Sequence, residues 1–197
     1  MSSDENNLKN IFNPEILNEN LKFISLYIAV YEKLKETIVG GVKDFYCSGF
    51  KGDKYIYDRY EEKVLNKVSS KKNRKLKASL KWLLDAEAID KKDCESFKKI
   101  TNKRNELVHD MSEILFNGLD EEVVILFGDM MELFKKIEKW WIKEVEVPIS
   151  GEFTADEYEK IDWDSVEYSD LMMLRVITDV SLNDDREYIN KKVDLYK

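Results

Sequence analysis

The chain has 197 residues, of which 43% are apolar and 37% are charged, and its formal net charge is −8. This length suffices for one domain with a hydrophobic core, or for one domain with an appendage. The negative charge argues against a simple basic nucleic-acid-binding domain. Only two prolines and seven glycines interrupt the chain, and so few breakers favour helices over a many-turned β-sandwich. We therefore predict an all-α fold.

The N-terminal sequence and the two cysteines indicate a cytoplasmic protein. The first seven residues are polar and acidic, without the basic-then-apolar order of a signal peptide, and no apolar run approaches the roughly 20 residues that cross a bilayer. Cys47 and Cys94 suit neither a disulfide framework nor a metal site. With one histidine and no His–carboxylate cluster at ligand spacing, we predict no metal, no cofactor and no membrane partner.

Charge is distributed unevenly along the chain. Residues 63–104 contain 14 Lys or Arg against 5 Asp or Glu, a net of +9, whereas residues 144–197 contain 6 against 15, a net of −9. Because salt screens distant charges, a basic segment attracts phosphates even in an acidic protein. Two interpretations stay open. Either the acidic segment covers a phosphate-binding middle, or both segments are solvated helical faces of opposite sign.

Apolar periodicity predicts an up-and-down bundle of about five helices. The first helix follows Asn13 as N-cap, begins at Pro14 and runs to Val39, where Gly40 and Gly41 are expected to stop it. The next two are predicted over residues 53–68 and 71–86, and a fourth starts near residue 90.

The fifth predicted helix has the most regular pattern. Apolar residues recur at steps of four and three, and further ones widen the stripe on its flank. The stripe is Val123, Phe127, Met130, Phe134, Ile137 and Trp141, with Leu126, Leu133 and Trp140 beside it. A face this broad indicates burial on two sides, either in the core or in a helix–helix contact between two copies.

The character of the chain changes after Pro148. Residues 149–197 are acidic, with apolar clusters at 161–163, 171–177 and 188–195. Thr154 followed by Glu157 is typical of a capping box, and another helix is predicted over residues 165–182. We therefore predict a helical body at residues 1–147 and an acidic helical C-terminal extension at 148–197 that packs back on it.

The residues best suited to chemistry lie in the fourth helix. At about 100° per residue, Arg104 falls within one apolar arc, formed by Phe97, Ile100, Leu107, Val108 and Met111. A guanidinium among apolar residues is costly without a partner, so we expect it to face another subunit, a carboxylate or a phosphate. Asn105 and His109 are four residues apart and share one side of the helix.

These three side chains suit a phosphodiester. An arginine pairs with two phosphate oxygens and stabilises the charge that develops as phosphorus becomes five-coordinate. An imidazole exchanges protons near neutral pH. Asn105 would orient the histidine or the substrate. A histidine near a helix end is nevertheless often structural, and an arginine on an apolar face is often an ion-pair anchor.

Residues 103–109, KRNELVH, resemble the signature of the HEPN superfamily, in which Arg precedes a polar residue, often Asn, and His follows after three more. The order of helix, short connection and motif helix across residues 80–100 is similar too. The resemblance extends over about residues 14–145. It implies a homodimeric bundle with paired motif helices and a metal-independent ribonuclease site. There the 2′-hydroxyl of RNA attacks its neighbouring phosphate to leave a cyclic phosphate.

By this resemblance His109 would be the acid–base group, Arg104 the phosphate clamp and Asn105 their polar companion. A toxin–antitoxin or phage-defence setting is implied, with RNA as substrate and an antitoxin protein as a candidate partner. In HEPN toxins paired with nucleotidyltransferase antitoxins, a Tyr stands where this chain has Met111, which argues against that mode of neutralisation. Two other hypotheses stay open: a non-catalytic regulator like the mannitol-operon repressor family, and an unrelated helical bundle.

Overall fold

A computed structural model describes residues 3–166 and 168–182, and within them the protein is mainly α-helical. The helices are α1 (Ser3–Phe12), α2 (Pro14–Phe45), α3 (Asp58–Lys63), α4 (Arg74–Asp85), α5 (Lys91–His109), α6 (Met111–Asn117), α7 (Glu121–Trp141), α8 (Val147–Ser150), α9 (Ala155–Glu159) and α10 (Ser169–Leu182). Strands β1 (Gly49–Lys51) and β2 (Lys54–Ile56) form an antiparallel hairpin between α2 and α3. The prediction of a mainly helical fold is confirmed.

Two predicted caps at the starts of helices are present in the structure. Asn13 caps α2 as predicted, because its side-chain oxygen accepts a hydrogen bond from the Glu15 backbone N–H at 3.0 Å. Thr154 and Glu157 form the predicted capping box at the start of α9. None of the helices within residues 3–166 and 168–182 is long and apolar enough to cross a bilayer.

Two predictions of helix extent are wrong. The prediction that Gly40 and Gly41 end the first helix fails because α2 continues to Phe45. A helix tolerates such residues at a cost of roughly 1 kcal/mol each, and packing on the rest of the fold outweighs that cost. The predicted helix over residues 53–68 is instead the second strand, α3 and a 3₁₀ turn at Leu65–Lys67.

The chain divides into two compact units. In its described residues, the first unit takes in 3–31, 99–131 and 168–182. Most of its buried side chains come from α2, α5, α7 and α10, and they include Ile24, Tyr27, Val30, Ile100, Leu107, Leu126, Met130 and Leu171. On its surface α1 contacts α6, where the Asn10 amide donates to the Phe116 carbonyl at 3.0 Å.

The second unit takes in residues 32–98 and 132–166. The inward residues of α2 and α7 include Leu34, Ile38, Val42, Phe134 and Ile137, which are fully buried. Aromatic rings extend this core in a tryptophan cluster, which consists of Gly41, Phe45, Trp82, Trp140 and Trp141. Trp82 and Trp141 are stacked, with ring centroids 5.7 Å apart and planes 9° from parallel.

Gly41 is required at its position in the tryptophan cluster. A Cβ atom placed there would lie 2.8 Å from Nε1 of Trp141, closer than real Cβ contacts allow, whereas one on Gly40 would meet nothing within 4 Å. Gly41 therefore lets the indole approach the α2 backbone.

The predicted division at residue 147 stays a prediction. Beyond it, Tyr158 donates a hydrogen bond to the Lys143 carbonyl at 2.9 Å, and Asp164 pairs with Lys139 at 2.6 Å. In α10, Leu171 and Leu174 are buried. The apolar cluster predicted at residues 188–195 lies outside the described residues.

Candidate functional site

Helix α5 carries the three candidate residues. It begins after Asp90, whose carboxylate accepts hydrogen bonds from the Lys92 and Asp93 backbone N–H groups at 2.7 and 3.0 Å. Asp93 in turn accepts from the Asp90 N–H at 2.8 Å. These reciprocal bonds satisfy donors that a helix start would otherwise leave open. The helix ends at His109.

The buried face of α5 differs from the predicted one. Phe97, Ile100, Lys103 and Leu107 are buried, whereas Val108 is 38% exposed. The prediction is wrong for Val108, which is exposed although it lies inside α5, and for Met111, which already belongs to α6. The buried face is consequently rotated toward Lys103, and Arg104 lies at its edge, half-buried.

Lys103 is therefore the cation held in the buried stripe. Its ammonium group lies 3.1 Å from Glu106, 3.0 Å from Asp120 and 3.0 Å from Glu122. We call these four residues the lysine cluster. Burial by itself would lower the pKa of Lys103, but the hydrogen bonds to Glu122, Asp120 and Glu106 outweigh it and raise this pKa. The cluster fixes the start of α7 against α5.

Arg104 is positioned by an aromatic ring. Its guanidinium carbon lies 5.5 Å from the centroid of the Tyr31 ring, within range of a cation–π interaction. The Tyr31 hydroxyl donates to the Thr101 hydroxyl at 3.4 Å. These contacts hold the Arg104 guanidinium beside the Tyr31 ring.

Asn105 lies beside the guanidinium, since an Arg104 terminal nitrogen donates to the Asn105 side-chain oxygen at 3.4 Å. Asn105 and His109 are both exposed and, by helical geometry, lie roughly opposite the buried stripe. The His109 ring makes no hydrogen bond or ion pair within the described part of the chain. The structure thus brings Arg104 and Asn105 together and leaves His109 one turn further on, open to solvent.

A separate groove of about 640 Å³ lies at the same end of α5, next to α6. Its charged lining residues are Lys103, Glu106, Asp110, Glu113 and Asp120, and none of Arg104, Asn105 and His109 lines it. Four carboxylates against one ammonium group disfavour a phosphate there.

The described residues contain no group of three or more His, Cys, Asp or Glu side chains that could hold a metal ion. Among them, the groups suited to chemistry at this end of α5 are a guanidinium, an amide and an imidazole. These groups can bind a phosphate, orient a substrate and transfer protons.

The sequence reasoning missed Lys103 and Tyr31. Asp120 gave one usable signal: an aspartate just before the first periodic residue of α7 is a typical N-cap, and its side chain does accept from the Val123 N–H at 2.9 Å. Nothing in the sequence indicated that Lys103 would reach the same carboxylate.

Comparison with known proteins identifies no family for this chain. No protein-family model, no curated protein and no solved structure matches the chain.

Proposed function

We propose that the protein is a metal-independent endoribonuclease of the HEPN type. The observation that carries the proposal is the arrangement at the end of α5, where Arg104 lies within 3.4 Å of Asn105 and the exposed His109 follows one helical turn later. The resemblance of residues 103–109 to the HEPN signature suggests the family. The geometry adds a half-buried guanidinium next to an exposed amide and imidazole, a set that is compatible with a phosphodiester.

Each group has a defined role in the proposed reaction. The 2′-hydroxyl of a ribose attacks the adjacent phosphorus, the bond to the 5′-oxygen breaks, and a 2′,3′-cyclic phosphate and a free 5′-hydroxyl result. Arg104 stabilises the charge on the five-coordinate phosphorus. An imidazole takes the proton from the 2′-hydroxyl or gives one to the leaving oxygen.

The proposal includes a homodimer of helical bundles, with the segment after residue 147 as an acidic helical extension. The reaction needs both a base and an acid, and the chain has one histidine. Two copies with their α5 ends adjacent would supply two imidazoles. Cleavage per protomer should consequently rise with the dimer fraction, as sedimentation and rate measurements across a concentration series would show. A toxin–antitoxin or phage-defence role in the cytoplasm, with an antitoxin partner, belongs to the same proposal.

The test is cleavage of labelled RNA by the purified chain and its variants. His109→Ala and Arg104→Ala should each reduce the rate at least about 100-fold. EDTA should have no effect, and the products should carry cyclic phosphates. Asn105→Ala should also reduce the rate, whereas Asn102→Ala, its matched control because both amides are exposed on α5, should not. Equal rates for wild type and His109→Ala would refute the proposal.

A second function has one observation in its favour. Arg104 packs on the buried Tyr31 ring, which suits an arginine that orders the fold of a non-catalytic regulatory protein. In that case Arg104→Ala would lower the melting temperature and no RNA would be cleaved by any variant. Unchanged melting with lost cleavage would favour the enzyme.

A further inference from the structure

The second unit carries a run of cations without carboxylates at the start of α4. From residue 63 to residue 84 the sequence contains eight Lys or Arg and no Asp or Glu, although 40 of the 197 residues are acidic. At the two ends of this run, Lys63 pairs with Glu62 at 2.9 Å and Lys81 pairs with Asp85 at 3.0 Å. The six cations between them, which we call the basic patch, form no ion pair with any described residue. They are Lys67, Lys71, Lys72, Arg74, Lys75 and Lys77.

Hydrogen bonds hold the loop before α4 against the first turn of that helix. The Nε of Arg74 donates to the Leu65 and Val68 carbonyl oxygens at 3.2 and 3.3 Å. The Lys77 ammonium group donates to the Ser70 hydroxyl at 3.0 Å. These acceptors are neutral, so the bonds order the loop without neutralising its charge. The loop therefore brings its lysines close to the cations of α4.

These cations occupy positions that are unfavourable without a counter-charge. The first turn of α4 begins with Arg74 and Lys75 and contains no acidic residue, and Asn73 provides no side-chain cap. The start of a helix is the positive end of its dipole, where cations are destabilising. The cations within residues 67–77 also repel one another. An anion bound at the basic patch would offset both effects.

The acidic segment does not supply this counter-charge within residues 144–166. There, Glu144 pairs with Lys143 at 3.0 Å and Asp164 pairs with Lys139 at 2.6 Å. No carboxylate of these residues forms an ion pair with the basic patch. The patch is thus open to an anion from outside the unit.

The composition of the patch indicates the kind of anion. Cations distributed over a loop and the first turn of a helix suit a chain of phosphates better than one small anion. None of the described large apolar side chains between residues 56 and 107 is exposed. This disfavours a lipid surface, because a basic segment anchors stably to a membrane together with an apolar or lipid anchor. A cluster of cations on one surface is the electrostatic footprint of nucleic-acid binding.

We propose that the basic patch binds the phosphate backbone of RNA, with Lys71, Lys72 and Lys75 contacting the phosphates and Arg74 positioning the loop. Binding is possible in a protein of net charge −8 because salt screens the distant carboxylates. The inference rests on the proposed function for the identity of the polyanion. It deepens that function, because it gives the RNA a binding surface outside residues 104–109.

The test measures the affinity of the full-length protein for a labelled 2′-O-methyl RNA of about 12 nucleotides by fluorescence anisotropy across a salt series. This probe has phosphates but lacks the 2′-hydroxyl that the proposed cleavage requires, so it reports binding alone. Replacing Lys71, Lys72 and Lys75 together by Gln should weaken binding at least about 10-fold at low salt. It should also reduce the slope of log affinity against log salt by about 2, or about 0.7 for each lost phosphate contact.

Two further variants separate the charge of the patch from the net charge of the protein. Arginine at the same three positions keeps the charge and should bind like wild type. Three lysines elsewhere in the second unit are exposed and form no ion pair with a described residue: Lys51, Lys54 and Lys91. Replacing these three by Gln removes the same charge and should change the affinity by less than about 2-fold.

Three outcomes would overturn the proposal. The first is the same affinity and salt slope in wild type and in the glutamine variant of the patch. The second is an equal loss of affinity in the control variant, which would make net charge the cause. The third is binding to anionic vesicles without binding to RNA. Circular dichroism melting of each variant confirms that a loss of affinity is not a loss of fold.

Cleavage assays separate this inference from the proposed function. If the protein binds 2′-O-methyl RNA through the patch but cleaves no RNA, the proposed function alone is refuted. If the protein cleaves RNA and the glutamine variant of the patch binds the probe like wild type, this inference alone is refuted.

Discussion

The lysine cluster and the tryptophan cluster are organised by different forces. In the first, one buried ammonium group faces three carboxylates that are about half exposed. In the second, large rings stack closely and a glycine makes room for one of them. The lysine cluster should therefore respond to pH and tolerate changes of volume, whereas the tryptophan cluster should ignore pH and respond to a single methyl group.

The contrast also bears on the candidate site. Asn105 and His109 belong to neither cluster, and both are exposed. Substitutions at exposed positions away from caps and core usually change stability by less than about 0.5 kcal/mol. Substitutions of Asn105 or His109 can therefore test function without changing stability much. A substitution of Arg104 also removes its contact with the Tyr31 ring, so its effects on function and on stability have to be measured separately.

The largest effect on stability is expected from Lys103→Met. Methionine fills a similar volume but leaves Glu106, Asp120 and Glu122 without their shared cation. Removing one partner of a fully buried ion pair costs about 3–5 kcal/mol, and since these carboxylates are partly solvated we expect about 2 kcal/mol. Urea denaturation at pH 7 measures it.

Lys99→Met is the control for Lys103→Met, because Lys99 is an exposed cation on the same helix. It should change the free energy of unfolding by less than about 0.5 kcal/mol. Loss of charge also predicts that the deficit of Lys103→Met shrinks near pH 3, where carboxylates are protonated. The same deficit at pH 3 and pH 7 would show that the lysine acts through its apolar stem instead.

Much of the helical fold was accessible from local sequence patterns. The predicted stripe of α7 is buried from Val123 to Trp141, because apolar residues at helical spacing form one face of a helix and that face packs in the core. The Thr154–Glu157 box was equally accessible, because its two partners are three residues apart. The hairpin was missed, although Gly52 and Asp53 between two aromatic residues are a turn signal.

The candidate site was less accessible for a physical reason. The prediction centred the apolar face on Arg104 by counting Val108 and Met111 in it, but Val108 is exposed and α5 ends at His109. The choice between Lys103 and Arg104 as the buried cation depends on Asp120 and Glu122, which lie beyond α6 in the chain. Contacts between residues this far apart in the chain leave no periodic pattern in the sequence. Roles in cleavage and the homodimer stay predictions.

The next effect concerns the tryptophan cluster. Gly41→Ala would place a methyl group 2.8 Å from Nε1 of Trp141, and a stacked indole has little freedom to move. Overpacking of this kind costs about 1–3 kcal/mol, and alanine returns up to about 1 kcal/mol of helix propensity. We expect a net loss of about 1 kcal/mol, measured by thermal melting with tryptophan fluorescence as a second probe.

Gly40→Ala is the matched control for Gly41→Ala. Its new methyl group meets nothing within 4 Å, so only helix propensity changes and stability should rise by about 0.5–1 kcal/mol. Opposite signs at adjacent positions of one helix would show that packing on Trp141 sets the requirement. Two losses of the same size would show instead that this part of α2 needs glycine flexibility.

The smallest effect should come from Asp120→Asn, and pH makes it visible. Burial alone would raise the pKa of Asp120, but its hydrogen bond to Lys103 and those from the backbone prevail and lower it. A carboxyl group whose pKa is lower in the folded state stabilises the fold at pH values above its unfolded-state pKa, which is near 4. This stabilisation is lost as the pH falls through the folded-state pKa.

In Asp120→Asn, asparagine still caps α7 through the Val123 N–H, so only the charge is lost. Because this side chain is 56% exposed, we expect a deficit of about 0.5 kcal/mol at pH 7 that shrinks as the pH falls below about 4. Asp120→Ala, which also removes the cap, should cost about 1 kcal/mol more at every pH. If the deficit for Asp120→Asn stayed constant between pH 3 and pH 7, Asp120 would stabilise the fold through packing contacts and not through its charge.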